Sequence, residues 1–179
     1  MEHKITLEQC RAAGFTNAAY LDPMQLEFLP EVRNMCQADR CGRYNQCWAC
    51  PPACGTLEKL KEKVQSYPYG ILLQVTGKME DDYDVETIEQ TQKDCKAALE
   101  RLTDQIRPQC SRLLVMDAGG CKRCKTCTYP DAPCRYPDKL APSMEACGLF
   151  VSRECERAGI PYYYGPQTMT FTAAIMVDD

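Results

Sequence analysis

Histidine is almost missing from this sequence: His3 is the only one among 179 residues, and it falls in a tail expected to be mobile. That scarcity excludes zinc sites built from cysteine and histidine, helical His-x-x-x-His metalloprotease sites and histidine-dependent nucleophile triads. No Gly-x-Gly-x-x-Gly and no Gly-x-x-x-x-Gly-Lys-Ser/Thr occurs, so neither standard phosphate loop is present. No apolar run approaches the roughly 18 residues that a membrane span requires, and MEHKITLEQC contains no apolar signal core. A cytoplasmic protein with no membrane partner is expected. Charge of one sign is lacking too. The 21 basic and 25 acidic residues are interspersed and sum to −4, so no basic stripe is available to track a nucleic-acid backbone.

Against these absences stand 14 cysteines. Without a secretion signal, such a number points to metal or redox chemistry rather than to a disulfide framework. A chain of this length buries a sufficient core without staples. It is read as one domain, 1–179, of the α/β class (α+β being the variant), with a small mixed sheet, packed helices and two cysteine-rich loops, 36–54 and 121–137.

Residues 5–33 carry signals for one or two short helices, broken by Pro23 and Pro30. Thr56 caps a helix running to about Ser66, and Gly70–Gly77 reads as a buried strand. From Asp84, apolar positions recur at spacings of three and four through Cys95, Leu99, Leu102 and Ile106 until Pro108. Cys110–Asp117 reads as a second buried strand, which predicts a strand–helix–strand unit of parallel strands. Ser143 is read as the cap of a further helix carrying Met144, Cys147, Val151, Cys155 and Ala158 on one face. Segments 160–164 and 168–177 are read as closing strands. Cys95, Cys147 and Cys155 thus belong to apolar stripes and read as core, and Cys10 reads as no ligand.

The second loop contains Cys121-x2-Cys124-x2-Cys127-x6-Cys134. Three cysteines in steps of three allow one tight loop to present three thiolates to a cubane, with the fourth arriving from further along, and bacterial ferredoxins use such a run. Structural zinc more often uses two separated Cys-x2-Cys pairs. The spacing therefore favours a four-iron (4Fe–4S) cluster over zinc, although thiolate softness suits both. Gly119 and Gly120 permit a sharp turn that aims N–H groups at sulfur, and Lys122, Arg123, Lys125 and Arg135 offset the negative charge. The first loop offers five thiols for four places: Cys36, Cys41, Cys47, Cys50 and Cys54, with Pro51-Pro52 after Cys50. Tyr44 and Trp48 are expected to cover this centre. Glu145 reads as a first-turn carboxylate rather than a functional acid, and Tyr162, Tyr163 and Tyr164 as strand aromatics.

Two stretches together give the chain a family likeness. They are Cys36…Cys41-Gly-Arg-Tyr44…Trp48-Ala-Cys50-Pro-Pro and Gly119-Gly120-Cys121-x2-Cys124-x2-Cys127…Pro133-Cys134-Arg135-x-Pro137…Pro142-Ser143-Met144-Glu145-Ala146. From about residue 30 onward the chain resembles the DUF2284 family, metal-binding proteins of anaerobic bacteria and archaea with no assigned reaction. The resemblance implies metal or iron–sulfur binding and matches Cys36, Cys41 and Cys50 as ligands. Cysteine is not characteristic of the family at positions 47 and 54. Cys54, following the turn of the proline pair, is taken as the fourth ligand.

The expected metal ligands are therefore Cys36, Cys41, Cys50 and Cys54 for one 4Fe–4S cluster and Cys121, Cys124, Cys127 and Cys134 for another. Three functions compete. The first is a two-cluster electron-transfer protein serving a redox partner, and the second an iron–sulfur enzyme whose first cluster has only three thiolates and an open iron. The third is a binding module stabilised by zinc.

Overall fold

A computed structural model describes residues 3–179 of the chain. Thr6 opens α1 (Leu7–Ala12) with a capping box, and β1 (Asn17–Leu21) follows. Pro30 begins α2 (Pro30–Gln37) instead of interrupting a helix, because its missing N–H falls where a first turn has no use for one. Thr56 accepts the Lys59 N–H to cap α3 (Leu57–Gln65), which leads into β2 (Tyr69–Lys78). Asp84 caps α4 (Val85–Ile106), whose buried stripe holds Thr91, Cys95, Leu99, Leu102 and Ile106. The chain continues through β3 (Arg112–Met116), α5 (Val151–Arg157) and β4 (Thr168–Asp178).

The four strands form one sheet in the order β1-β2-β4-β3, and every pairing is antiparallel. The expected unit of adjacent parallel strands is therefore split. β2 and β3 point the same way, but β4 lies between them and pairs with β2 over ten residues. A strand buried on both faces reads as a continuous apolar run whatever its neighbour's direction, so Thr168–Val177 disclosed itself as a strand without disclosing its place.

Alternate residues of the central strands face two cores. Ile71, Leu73, Val75, Ala173, Ile175 and Val177 pack with Cys10, Cys95, Leu99 and Leu102 of α1 and α4. Leu72, Ala174, Met176, Leu114 and Met116 pack on the other face with Leu60, Val64, Met144, Cys147 and Cys155. This three-layer arrangement is mixed α/β. Cys10, Cys95 and Cys155 are fully buried in these cores and Cys147 is 1 % exposed.

Three further expectations are corrected. Segment 160–164 forms no strand; Gln74, fully buried on β2, donates to the Pro161 carbonyl at 3.0 Å and accepts from the Tyr164 hydroxyl at 2.7 Å, so side-chain bonds hold it instead of a ladder. The helix read from Ser143 is broken. A single 3-10 turn, Glu145–Cys147, ends at Gly148 in the left-handed region (φ 84°), and α5 begins after it. A Cβ at Gly148 would stand 2.4 Å from Leu57 Cδ1, so this corner needs glycine both for its dihedral and for its packing. Finally, His3 is fixed, with its ring 4.4 Å from that of Tyr20 and 4.1 Å from that of Tyr69.

Candidate metal centre

Both cysteine loops gather at one end of this sheet. The first leaves α2, whose last turn carries Cys36, and folds through a series of tight turns. Asp39 accepts the Tyr44 N–H at 2.8 Å, Cys50 N–H bonds the Cys47 carbonyl at 3.0 Å, and Cys54 N–H bonds the Cys50 carbonyl at 3.0 Å. The second loop leaves β3 through Asp117. Its carboxylate takes a short bond of 2.5 Å from Lys96 of α4, which also bonds the Gly120 carbonyl. Asp117 N–H bonds the Pro142 carbonyl at 2.9 Å, which closes the neck of the loop.

The two loops then grip each other. Trp48 Nε1 donates to the Ala132 carbonyl at 3.0 Å, and its ring meets Tyr129 edge-on at 4.9 Å between centroids. The Tyr129 hydroxyl donates to Asn45 Oδ1 at 2.7 Å. Half-buried aromatic groups with polar handles, each finding a partner on the opposite loop, join two irregular segments that have no ladder of their own.

Two groups of thiols result. Cys121, Cys124, Cys127 and Cys134 line one narrow cleft together with Arg43, Trp48, Arg123 and Arg135. Cys47, from the first loop, is a fifth thiol in the same cleft. A second cavity, of about 230 Å³, is lined by Cys36, Cys41 and Cys50 with Tyr44, Gly119, Gly120, Ser143 and Glu145. Cys54 does not line it. That thiol packs toward the core of α3 and α5, and Cys147 feels its charge. Trp48, expected over the first centre, covers the second, whereas Gly119 and Gly120, expected to turn the second loop toward its own sulfurs, form a wall of the first cavity.

The electrostatics differ between the groups. Burial pushes the Cys50 thiol up to about 12, helped by the neighbouring Cys47 thiol, and burial likewise raises Cys36 and Cys54. At Cys127 burial acts in the same sense but is outweighed. The N–H groups of Tyr129, Trp48 and Thr128 and the Cys47 thiol direct donors at its sulfur and bring it below the ordinary thiol range. Tyr136 N–H also points at Cys134 Sγ, 3.4 Å away. Donors aimed at sulfur are what a thiolate ligand requires, and they favour the anionic form before any metal arrives.

All 14 cysteines are free thiols. Among the described residues no group of three or more His, Cys, Asp or Glu side chains is arranged to hold a single metal ion. The thiols instead surround cleft and cavity walls, and sulfur is the shared donor type around each space.

Arg33 was not singled out by its sequence. From the middle of α2 it donates to the Ala146 carbonyl at 2.8 Å and to the Gly55 carbonyl at 2.5 Å. It thereby joins the end of the first loop to the Ser143–Cys147 segment, and its charge lowers Cys36 and Cys54 against the effect of burial. A single arginine in a polar helix face carries no spacing signal, so nothing in the chain announced it.

With this geometry in place, the comparison with known families becomes specific. The model of a family described as predicted metal-binding protein (DUF2284) matches residues 19–177. The chain belongs to the DUF2284 family. No curated protein and no solved structure matches it. The match runs from β1 into β4 and therefore includes both cysteine loops.

Proposed function

We propose that this DUF2284 protein is an iron–sulfur redox protein carrying two clusters of the 4Fe–4S type. Cys121, Cys124, Cys127 and Cys134 hold the second cluster, completely ligated, with Cys47 beside it. Cys36, Cys41 and Cys50 hold the first cluster, and Cys54 stands behind the wall of that cavity. The observation that carries this reading is the division of the thiols, four in a ferredoxin-like run around one cleft and three around an open cavity of about 230 Å³. When bound, a fully ligated cluster supplies one-electron storage, and a cluster with three thiolates adds an iron open to exogenous ligands.

The chain's own part is to hold, shield and tune. Trp48, met edge-on by Tyr129, walls the second cleft, backbone N–H groups favour the Cys127 thiolate, and Arg43, Arg123 and Arg135 offset its negative charge. Cys41 is exposed and Cys36 partly so, which leaves the first cavity accessible to a small molecule. Such accessibility favours redox chemistry on a substrate over electron transfer alone, with the second centre facing a redox partner protein.

Anaerobic purification followed by iron, zinc and acid-labile sulfide analysis tests the proposal. The expected result is a brown protein with about eight iron and eight sulfide per chain. A colourless protein containing stoichiometric zinc and no sulfide overturns it in favour of the zinc-stabilised binding module.

A further inference from the structure

The cavity that gathers Cys36, Cys41 and Cys50 also has a carboxylate in its wall. Glu145 opens the single 3-10 turn between Ser143 and Gly148, and its main chain is pinned from several directions. The Gly148 N–H bonds the Glu145 carbonyl at 2.8 Å, Ser143 Oγ accepts the Ala146 N–H at 3.1 Å, and Arg33 clamps the Ala146 carbonyl at 2.8 Å. The pinned main chain leaves the exposed carboxylate in the cavity wall. It is close enough to Cys36 for its charge to raise that thiol.

Several carboxylates around the two loops are engaged, although Asp131 and Asp138, which line neither the cleft nor the cavity, are not. Asp117 pairs with Lys96, Glu100 with Arg123 and Lys139, and Asp39 caps the Tyr44 N–H. The Glu145 carboxylate has neither an ion pair nor a hydrogen bond among the described residues, and Arg33 is committed to two main-chain carbonyls. An exposed carboxylate is stable in water without a partner, so what matters is its place: it lines the cavity wall beside three thiols, within reach of whatever cationic centre they hold.

We propose that Glu145 is the fourth ligand of the first centre, binding through its carboxylate the iron that the three thiolates leave open. The proposal rests on the three-thiolate reading given above. Oxygen is a harder donor than sulfur and binds a soft iron–sulfide centre less firmly than thiolate does. Glu145 therefore acts as an exchangeable ligand, displaced by small soft anionic ligands of the thiolate or sulfide class and returning when they leave. It makes the site selective for donors that outcompete a carboxylate and protects the open iron meanwhile.

Cyanide titration of the anaerobically purified, reduced holoprotein, followed by electron paramagnetic resonance with parallel iron analysis, tests this. The expected result is that cyanide alters the first-centre signal of the unaltered protein. Glu145→Ala should bind cyanide at least tenfold more tightly, because the internal competitor is gone, and Glu145→Cys at least tenfold more weakly, because a thiolate has replaced it. Loss of first-centre iron in Glu145→Ala with retention in Glu145→Cys also supports ligation. Equal cyanide affinity in the unaltered protein and Glu145→Ala, both with full iron, overturns the proposal while leaving an open iron in place. No response to cyanide in any of the three, all fully loaded, refutes the three-thiolate reading itself and with it the role of Glu145.

Discussion

Cys147 is the hardest test of the division between packing cysteines and ligands, because it is covalently next to Ala146, which lines the first cavity, and lies within electrostatic reach of Cys54. The structure nevertheless places it in apolar company: it is 1 % exposed among Met144, Leu149, Val151 and Val64. Burial, followed by the nearby Cys54, pushes its thiol up to about 12; Cys50 is raised as far, and what sets Cys147 apart is that it lines neither the cleft nor the cavity in which the other thiols gather. Cys147→Ala removes one sulfur atom and leaves a cavity of about that size, comparable to trimming a methyl group. The cost is about 1 kcal/mol. In a chain of this length that corresponds to a fall in Tm of about 2–4 °C. Cys147→Ser retains the volume but buries a hydroxyl without an assured partner, at about 1–3 kcal/mol. Thermal unfolding followed by circular dichroism, with iron determined on the same samples, measures both effects. Unchanged iron with the alanine variant slightly destabilised and the serine variant more so is the expected pattern. Loss of iron from Cys147→Ala at an unchanged Tm would refute the reasoning, since it would make a buried core thiol a ligand.

Four other outcomes follow from the same geometry. Cys124→Ala should lose about half of the bound iron while keeping the fold, and full iron content with an unchanged spectrum would remove this cysteine from the second centre. Arg33→Ala breaks two charge-assisted bonds to main-chain carbonyls, so stability should fall by about 2–4 kcal/mol with first-centre iron depleted selectively; uniform depletion of both centres would argue against its local role. Cys47→Ala should retain the iron of both centres yet lower the reduction potential of the second, because a donor to the Cys127 sulfur is lost; a drop of half the iron would make Cys47 a ligand. Burial holds the thiols of Cys10 and Cys155 at about 11 and those of Cys95 and Cys147 at about 12, against 9.0 in the unfolded chain. Below pH 9 both states are neutral there, whereas from pH 9 to about 12 the unfolded chain releases protons that the fold retains, so urea stability should fall across that window; a flat profile would refute the burial of these thiols.

What the sequence disclosed was what repeats at short range. Asp84 and Thr56 mark the starts of α4 and α3 through local side-chain caps, and the three-and-four spacing correctly assigned Cys95 to the core. Glycines in the chain located Gly70–Gly77 as a strand but said nothing of its neighbours, because strand order is decided by the docking of a segment ninety residues later. Strand β1 was missed, since Asn17–Leu21 is only five residues long and contains two alanines. At the site, step-of-three spacing grouped the cysteines of the second loop, and these four line one cleft. It did not reveal that Cys47 and Trp48 cross to that loop or that Glu145 and Gly119 turn to the first, because these contacts arise only when Asp117 and Pro142 close the neck.

That crossing has a physical consequence for how the two centres relate. Cys47 and Cys50 are joined by a tight turn, Cys50 N–H to Cys47 carbonyl at 3.0 Å, yet Cys47 lines the second cleft and Cys50 the first cavity. The Cys47 thiol meets Cys127 on one side and Cys50 on the other, so a single four-residue segment, Cys47–Cys50, spans both thiol groups. Trp48 and Ala49, between the two cysteines, are fixed by the Ala132 carbonyl and by burial. The segment between cleft and cavity is therefore a single turn with a thiol at each end, and under the two-cluster proposal the fifth thiol of the first loop is the contact between the two sites.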